Sequence, residues 1–201
     1  VLPFQDMSAA KDQEYLCDGI AEELLRALGR IPDLYVASRT SAFQLKQRPT
    51  DVREIGVKLN VEHVMEGSVR RVGDHVRVSV QLVSVDSGYR LWSERFDRDL
   101  SDIFAIEDEI AEQIAKALKV ELVERVARPG MAANTSATEV YELYLQGRQF
   151  FHQHRRKALE IALQTFSRAI EIDPSYAKAY AGIADCHSFL LMYFGFGDEA
   201  L

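Results

Sequence analysis

This chain has little cysteine, no excess of basic charge and no long apolar run, and each shortage argues against a class of protein. Its two cysteines, Cys17 and Cys186, lie far apart with no CxxC or histidine spacing, so we expect buried free thiols. A formal net charge of −7 lacks the basic face typical of nucleic-acid binding. The longest apolar stretch, Phe189 to Phe196, contains Gly195 and is far shorter than the ~20 residues of a membrane helix.

Motifs of catalysis are missing as well. The sequence contains no GxSxG elbow, no P-loop, no GxGxxG loop and no cyclase or kinase signature. Two sets of carboxylates are candidates for acid–base chemistry: Glu22 with Glu23, and Asp97 with Asp99 and Asp102. The pair lies on a helix flank and the other set precedes a helix, where N-capping accounts for it. We therefore predict no catalytic residue and no cofactor.

One close histidine pair, His152 and His154, is the best metal candidate. The cationic residues 155–157 follow it directly and would repel a metal ion, and no third ligand lies nearby. We predict a solvated turn and no metal site. The basic cluster itself either binds an anionic partner or is plain surface.

Apolar periodicity divides the first two thirds into helices and strands. A stripe from Leu16 to Ile31 predicts a helix over about 13–30, and Leu34–Ser38 favours a short strand. Ser38 is placed to cap a short helix, and Thr50 to cap a helix over 51–59. A long helix is predicted from about Leu100 to Val126.

Between these helices lies the clearest strand pattern. Val76, Val78, Val80 and Leu82 alternate with polar residues, and strands over 64–71 and 91–96 flank them across tight turns. We predict an antiparallel meander with one face on a core. Three arginines near the first turn could meet as a basic patch or form a charged edge that discourages aggregation: Arg70, Arg71 and Arg77.

A breaker pair at Pro129 and Gly130 marks a change of composition, because the sequence beyond it is helical throughout. The predicted organisation is an α/β domain over 1–126, a linker over 127–137 and an all-α segment over 138–201. The fold class is therefore α+β: a small mixed domain with an antiparallel meander and flanking helices, followed by helix-turn-helix repeats.

The first domain resembles the TolB amino-terminal-like domain, related in shape to CsgG-type lipoproteins, over about residues 1–125. The resemblance rests on these motifs: Val1-Leu2-Pro3-Phe4, Asp18-Gly19-Ile20, Glu66-Gly67-Ser68-Val69-Arg70, Leu91-Trp92, Arg95-Phe96-Asp97 and Asp102-Ile103-Phe104. It implies a domain without catalytic residues. It also implies a bacterial signalling context, since such domains often follow an adenylate cyclase, winged-helix or kinase domain. A membrane helix is frequent upstream in such proteins, so the compartment, cytoplasmic or periplasmic, stays open.

The second half resembles tetratricopeptide repeats. One full repeat spans 138–174, and a second begins at about Tyr176. The resemblance rests on the spacing of small and large residues: Leu143, Gly147, Phe150, Ala162, Phe166, Ala169 and Pro174. Such repeats stack into scaffolds that bind proteins or peptides.

The resemblance implies which side chains would contact a partner, because the first helix of each repeat lines the binding groove. The predicted partner-binding residues are Tyr141, Tyr144, Arg148, Phe151, Lys178 and Asp185, with Ala181 and Ser188 on the same face. Tyrosine and arginine are common at interface hot spots. The alternative is that the aromatic members pack against the linker or the α/β domain.

An unpartnered apolar face is expected at the end of the last helix, where the next helix of the repeat would pack. We predict a homodimer contact there, through Phe189, Leu190, Met192, Tyr193, Phe194 and Phe196. Alternatively, this helix packs back on the first repeat.

The functional prediction is a non-enzymatic sensory or scaffolding module of a larger bacterial signalling protein, with a protein or peptide as its partner. Two alternatives remain open: the regulatory C-terminal part of a class III adenylate or guanylate cyclase, and the periplasmic sensor of a winged-helix regulator.

Overall fold

The computed structural model describes residues 1–46, 51–118 and 135–195. The chain separates into two compact units, Val1–Gly130 and Met131–Leu201. The first contains a four-stranded sheet with helices, and the second contains three consecutive helices. The predicted α+β fold is confirmed. The finer division into a domain over 1–126, a linker and a repeat segment stays a prediction.

A mixed sheet forms the centre of the first unit, with the strand order β1-β2-β3-β4. Its strands are β1 (Gln5–Asp6), β2 (His63–Val72), β3 (His75–Ser84) and β4 (Arg90–Asp99). The last three form the predicted antiparallel meander, and β1 joins β2 in parallel. Gly73 and Gly88 turn the chain between these strands with φ of +61° and +73°, a backbone region that glycine enters without steric cost.

Two amphipathic helices cover one face of the sheet. They are α1 (Glu14–Leu28) and α4 (Ile103–Ala117), and they contact each other and the strands. The large apolar residues of their stripes are at most 4% exposed, as periodicity predicts: Leu16, Ile20, Leu24, Leu28, Ile103, Ile106, Ile110 and Ile114. They pack with the strand residues Val69, Val78 and Phe96, which lie opposite one another in register.

Two shorter helices complete this unit: α2 (Arg39–Phe43) and α3 (Val52–Leu59). Ser38 caps α2 as predicted, because its side chain accepts a hydrogen bond from the Ser41 amide at 3.2 Å. Asp51 caps α3 by accepting from the Arg53 amide; the proposed cap Thr50 lies outside the described residues. Ile55 of α3 packs with Leu45 and Val64 in a second, smaller core.

One predicted strand is wrong. Residues 34–38 have no strand partner and run as irregular backbone between two helices. Tyr35 is 94% exposed, so its preference for extended backbone was not matched by any sheet surface to pack on.

The second unit consists of α5 (Thr135–Phe151), α6 (Arg156–Ile172) and α7 (Ala177–Phe194). The connections between them are short, so consecutive helices run antiparallel. Helix α6 contacts both α5 and α7. Its buried stripe holds the small and large residues on which the predicted repeat depends: Ala162, Phe166 and Ala169.

Candidate partner-binding surfaces

Phe166 is the point at which the three helices of the second unit meet. Its ring lies between Gly147 of α5 and Gly182 of α7, where an added Cβ would come within 2.5 Å and 2.6 Å of it. Phe166 is fully buried. The two glycines therefore allow one aromatic ring to hold both neighbouring helices close to α6.

Beside this contact, α5 and α7 present facing polar side chains. Arg148 Nη1 lies 3.3 Å from Asp185 Oδ2, and Lys178 Nζ lies 5.5 Å above the ring centre of Tyr144. Arg148 also lies over the ring of Phe151, at 5.4 Å. Five of the six predicted partner-binding residues are thus brought together around two cross-helix pairs.

The two tyrosines are buried; the sequence left open that they pack, but against the linker or the α/β domain, whereas Tyr144 packs within the helical unit. Tyr141 has no exposed surface and Tyr144 is 5% exposed. The Tyr144 ring packs 6.1 Å from Phe166 and 5.7 Å from Tyr176. In this structure they act as core residues, and the contacts of Arg148, Lys178 and Asp185 lie beside them. Arg148 and Asp185 occupy corresponding positions in α5 and α7, and this was the signal from which their pairing could have been predicted.

The predicted oligomer contact divides into two parts. Phe189 is half-buried in an aromatic stack, 4.6 Å from the His154 ring and 4.3 Å from the Tyr193 ring. Leu190 is half-buried too, whereas Met192 and Tyr193 are 72% and 65% exposed. Phe194 is 38% exposed, and Phe196 lies outside the described residues. A dimer through this end stays a prediction.

Histidines at the α5–α6 turn serve packing and hydrogen bonding. His154 stacks on Phe189, and His152 Nε2 lies 3.1 Å from Arg148 Nη2. No group of three potential metal ligands occurs in the part of the chain that the structure describes. Within those same residues, no helix is both long and apolar enough to cross a membrane.

Most of the carboxylates considered for catalysis are held in ion pairs. Glu22 Oε2 lies 3.1 Å from Arg39, and the buried Glu23 lies 3.0 Å from Arg26. Asp97 accepts a hydrogen bond from Arg77 at 2.7 Å, which holds the pKa of this carboxyl below its ordinary value.

The capping explanation for the aspartates is wrong. Asp99 and Asp102 occupy N-cap positions, but neither side chain accepts a capping hydrogen bond. Asp99 instead lies 2.5 Å from His75 Nδ1 on the neighbouring strand.

The arginine patch forms only in part. Arg70 and Arg77 lie directly opposite each other on β2 and β3, on the sheet face that α1 and α4 leave open. Arg71 points to the other face, because side chains alternate along a strand. Its guanidinium donates to the Gly73 carbonyl at 2.8 Å and to the Tyr15 hydroxyl at 3.1 Å.

Both cysteines are free and buried. Burial raises the pKa of the Cys17 thiol to about 12 and that of Cys186 to about 11. Because the thiolate is the reactive form, these side chains are packing residues.

Comparison with known proteins finds a clear relative. The chain is 36% identical over 184 residues to a protein from Rhizobium meliloti (strain 1021) named "Putative adenylate cyclase 3". The alignment covers 92% of this chain but 31% of that protein, so the chain spans about a third of its relative. No protein-family model matches the chain.

A structural comparison finds the LpoB C-terminal domain from Salmonella enterica. It covers 49% of this chain and 77% of that domain, at 14% identity and a TM-score of 0.26. A likeness of this size supports no inference about fold or function.

Proposed function

We propose that this chain is a non-enzymatic, protein-binding segment of a larger bacterial signalling protein. The observation that carries the proposal is the pairing of polar side chains across α5 and α7, beside the packed ring of Phe166. The relative supports the signalling context: the region similar to this chain is under a third of a protein named as an adenylate cyclase.

The partner surface that we propose consists of charged side chains above a buried aromatic core. Tyr144 and Phe166 are buried beneath it, so their packing holds in place the helices that carry the charged side chains. Arg148, Lys178 and Asp185 supply two positive charges and one negative charge. Because the positive charges outnumber the negative one, the surface suits an extended peptide that carries acidic groups.

Three of the carboxylates considered for catalysis support a non-enzymatic role. Glu22, Glu23 and Asp97 each pair with an arginine, and the hydrogen bond from Arg77 lowers the pKa of the Asp97 carboxyl. A general acid needs a carboxyl whose environment keeps it protonated in a pocket beside its substrate.

A regulatory part of a class III adenylate or guanylate cyclase is the alternative that the relative's name favours. It is compatible with the first proposal, because a regulatory segment also acts by binding. The sensor of a winged-helix regulator is the other alternative, and nothing in the comparisons favours it.

Peptide selection against the full chain tests the binding surface. Peptides selected from a random library would be titrated by calorimetry against the chain and its Lys178→Ala and Arg148→Gln variants. We expect each variant to bind about tenfold more weakly, a difference of about 1.4 kcal/mol.

Matched controls lie on α6. Lys157→Ala and Arg168→Gln remove equivalent exposed charges there and should leave affinity unchanged. Binding that is insensitive to Lys178 and Arg148 would place the partner surface elsewhere and contradict the proposal.

Turnover tests the non-enzymatic part separately. The purified chain with magnesium and ATP or GTP should form no cyclic nucleotide above the rate of a buffer blank. Product formation that scales with chain concentration through repeated purification would overturn this part, whatever the peptide experiment shows.

A further inference from the structure

Of the two outer edges of the described sheet, that of β4 has the longer row of backbone N–H and C=O groups that pair with no other strand of the sheet. β4 is the terminal strand, ten residues long, whereas the opposite terminal strand β1 has two. Every residue of β4 is exposed except the half-buried Trp92 and the buried Phe96. An edge of this length is a template for another strand.

The backbone groups at this edge can be assigned from the turn between β2 and β3. Val72 and His75 close a two-residue turn, so they form a hydrogen-bonded pair, and such pairs then alternate along the strands. The backbone N–H and C=O groups of the even-numbered β3 residues therefore point towards β4. By the same alternation Ser93, Arg95, Asp97 and Asp99 direct their N–H and C=O groups to the free edge.

Charges along this edge are balanced. β4 contains Arg90, Arg95 and Arg98 against Glu94, Asp97 and Asp99, with no lysine and no proline. Edges are protected against pairing by charged side chains, especially lysine, by proline or by a bulge; the charges of β4 are of both signs, so an antiparallel contact can place opposite charges beside each other. The irregularity in the β3–β4 register lies opposite the start of β4, before residue 93. Moreover, residues at equal distances on the two sides of Phe96 carry opposite charges, in the order Glu94-Arg95-Phe96-Asp97-Arg98.

We propose that two copies of the chain pair antiparallel through the free edge of β4, with Phe96 opposite Phe96 of the second copy. Glu94 then lies opposite Arg98 of the second copy, and Arg95 lies opposite Asp97. Arg95 and Asp97 are residues whose backbone groups face the edge, so this register also pairs the hydrogen bonds. A two-fold axis perpendicular to the sheet keeps both helix layers on one side.

Neighbouring registers of the two β4 strands are less favourable, because they place like charges opposite each other. Opposite residues must both direct their backbone groups to the edge or both away from it, so the register can change only in steps that keep odd residues opposite odd ones. One step in one direction places Arg95 opposite Arg95, and one step in the other places Asp97 opposite Asp97. Like charges directly opposite each other are unfavourable.

Contacts within one chain already hold the Asp97 carboxylate in place before a second copy binds. Arg77 holds its carboxylate from the neighbouring strand at 2.7 Å, and Arg95 of the same chain lies 3.6 Å away. The side chain is 52% exposed, on the sheet face that α1 and α4 leave open. A second copy therefore meets a carboxylate that is already oriented.

Charge exchange between mixed chains tests the register. In a homodimer, Glu94→Arg places two arginines opposite each other, and Arg98→Glu places two glutamates opposite each other. In sedimentation equilibrium each variant alone should dimerise about tenfold more weakly than the wild type or worse. An equimolar mixture should recover dimers, because each variant then supplies what the other lacks, and a misfolded chain could not recover in this way.

Controls and cross-linking complete the test. Glu171→Arg and Arg168→Glu on α6 change the net charge equally and should leave the dimer unchanged. A Ser93→Cys chain mixed with an Asp99→Cys chain should form a disulfide on oxidation, whereas Ser93→Cys alone should not, since its two sulfurs would be about 20 Å apart. The native cysteines are buried and do not interfere.

Three results would overturn the proposal. They are a wild-type chain that stays monomeric at millimolar concentration, a charge-exchange mixture that recovers nothing, and a dimer lost in Leu191→Ser/Met192→Ser but unchanged in Glu94→Arg. The last would assign self-association to the exposed face of α7. A dimer that follows the Glu94 and Arg98 variants supports pairing through β4.

Discussion

At the scale of single residues, the closest packing in the second unit depends on glycine. Gly147 and Gly182 approach the Phe166 ring so closely that a methyl group at either position would overlap with it. Glycine costs a helix about 1 kcal/mol relative to alanine. The ring contact must therefore compensate for two helix-interior glycines, which helix propensity alone disfavours.

Gly147→Ala should consequently destabilise the chain. Overpacking costs about 1–3 kcal/mol, which exceeds the ~1 kcal/mol gained in helix propensity, so we expect a net loss of stability in urea unfolding. In a Phe166→Leu background the same substitution should cost less or become stabilising, because the smaller side chain leaves room.

Ser188→Ala on the exposed surface of α7 is the control and should change stability little. Equal losses from Gly147→Ala with and without Phe166 would show that the ring is not the cause of the destabilisation.

At the scale of elements, one carboxylate joins the first strand to the first helix. Asp6 accepts hydrogen bonds from the amides of Ser8 and Gln13, both at 2.8 Å. Burial alone would raise its pKa, but these hydrogen bonds outweigh burial and lower it from 3.8. The charged form is thus favoured in the folded state.

The sign of the pH dependence follows from this shift. A carboxyl with a lowered folded-state pKa contributes stability above its unfolded pKa, near 3.8, and loses it as the pH falls through the folded value. Asp6→Ala should lower the free energy of unfolding at pH 7 by about 1–2 kcal/mol, since two amides lose their acceptor. The difference from the wild type should shrink near pH 3.

Asp74→Asn, at an exposed turn, is the control and should show no such pH-dependent difference. Urea unfolding at both pH values makes the comparison. A deficit for Asp6→Ala that stays the same at pH 3 would show that its carboxylate charge is not involved.

Helices and strands were predicted correctly from the sequence where the apolar pattern repeats over many residues. The stripes of α1 and α4 and the alternation of β3 each repeat over several residues, so chance does not mimic them. Residues 34–38 show the opposite case: a five-residue preference for extended backbone predicted a strand, but no neighbour was available to pair with it.

At the scale of the whole molecule, the two compact units differ in class, one with a sheet and one wholly helical. Each contains its own fully buried side chains, such as Ile110 in the first unit and Phe166 in the second. Units with separate cores commonly unfold as separate cooperative steps.

Calorimetry of the full chain should therefore resolve two transitions. Ile110→Ala and Phe166→Ala each remove about 2–5 kcal/mol, and each should lower the midpoint of one transition while leaving the other in place. Their effects should add in the double variant. A single transition that both substitutions lower equally would mean that the units fold as one.

The sequence by itself determined the fold class, the antiparallel meander and the helices of both units, because these depend on local periodicity and turn chemistry. It also placed Tyr141, Tyr144, Arg148, Lys178 and Asp185 on corresponding helix positions. Only the tertiary structure decided that the two tyrosines are core residues, that Arg71 turns away from Arg70 and Arg77, and that β4 is a terminal strand. Burial and strand order depend on residues distant in sequence, and no local pattern contains that information.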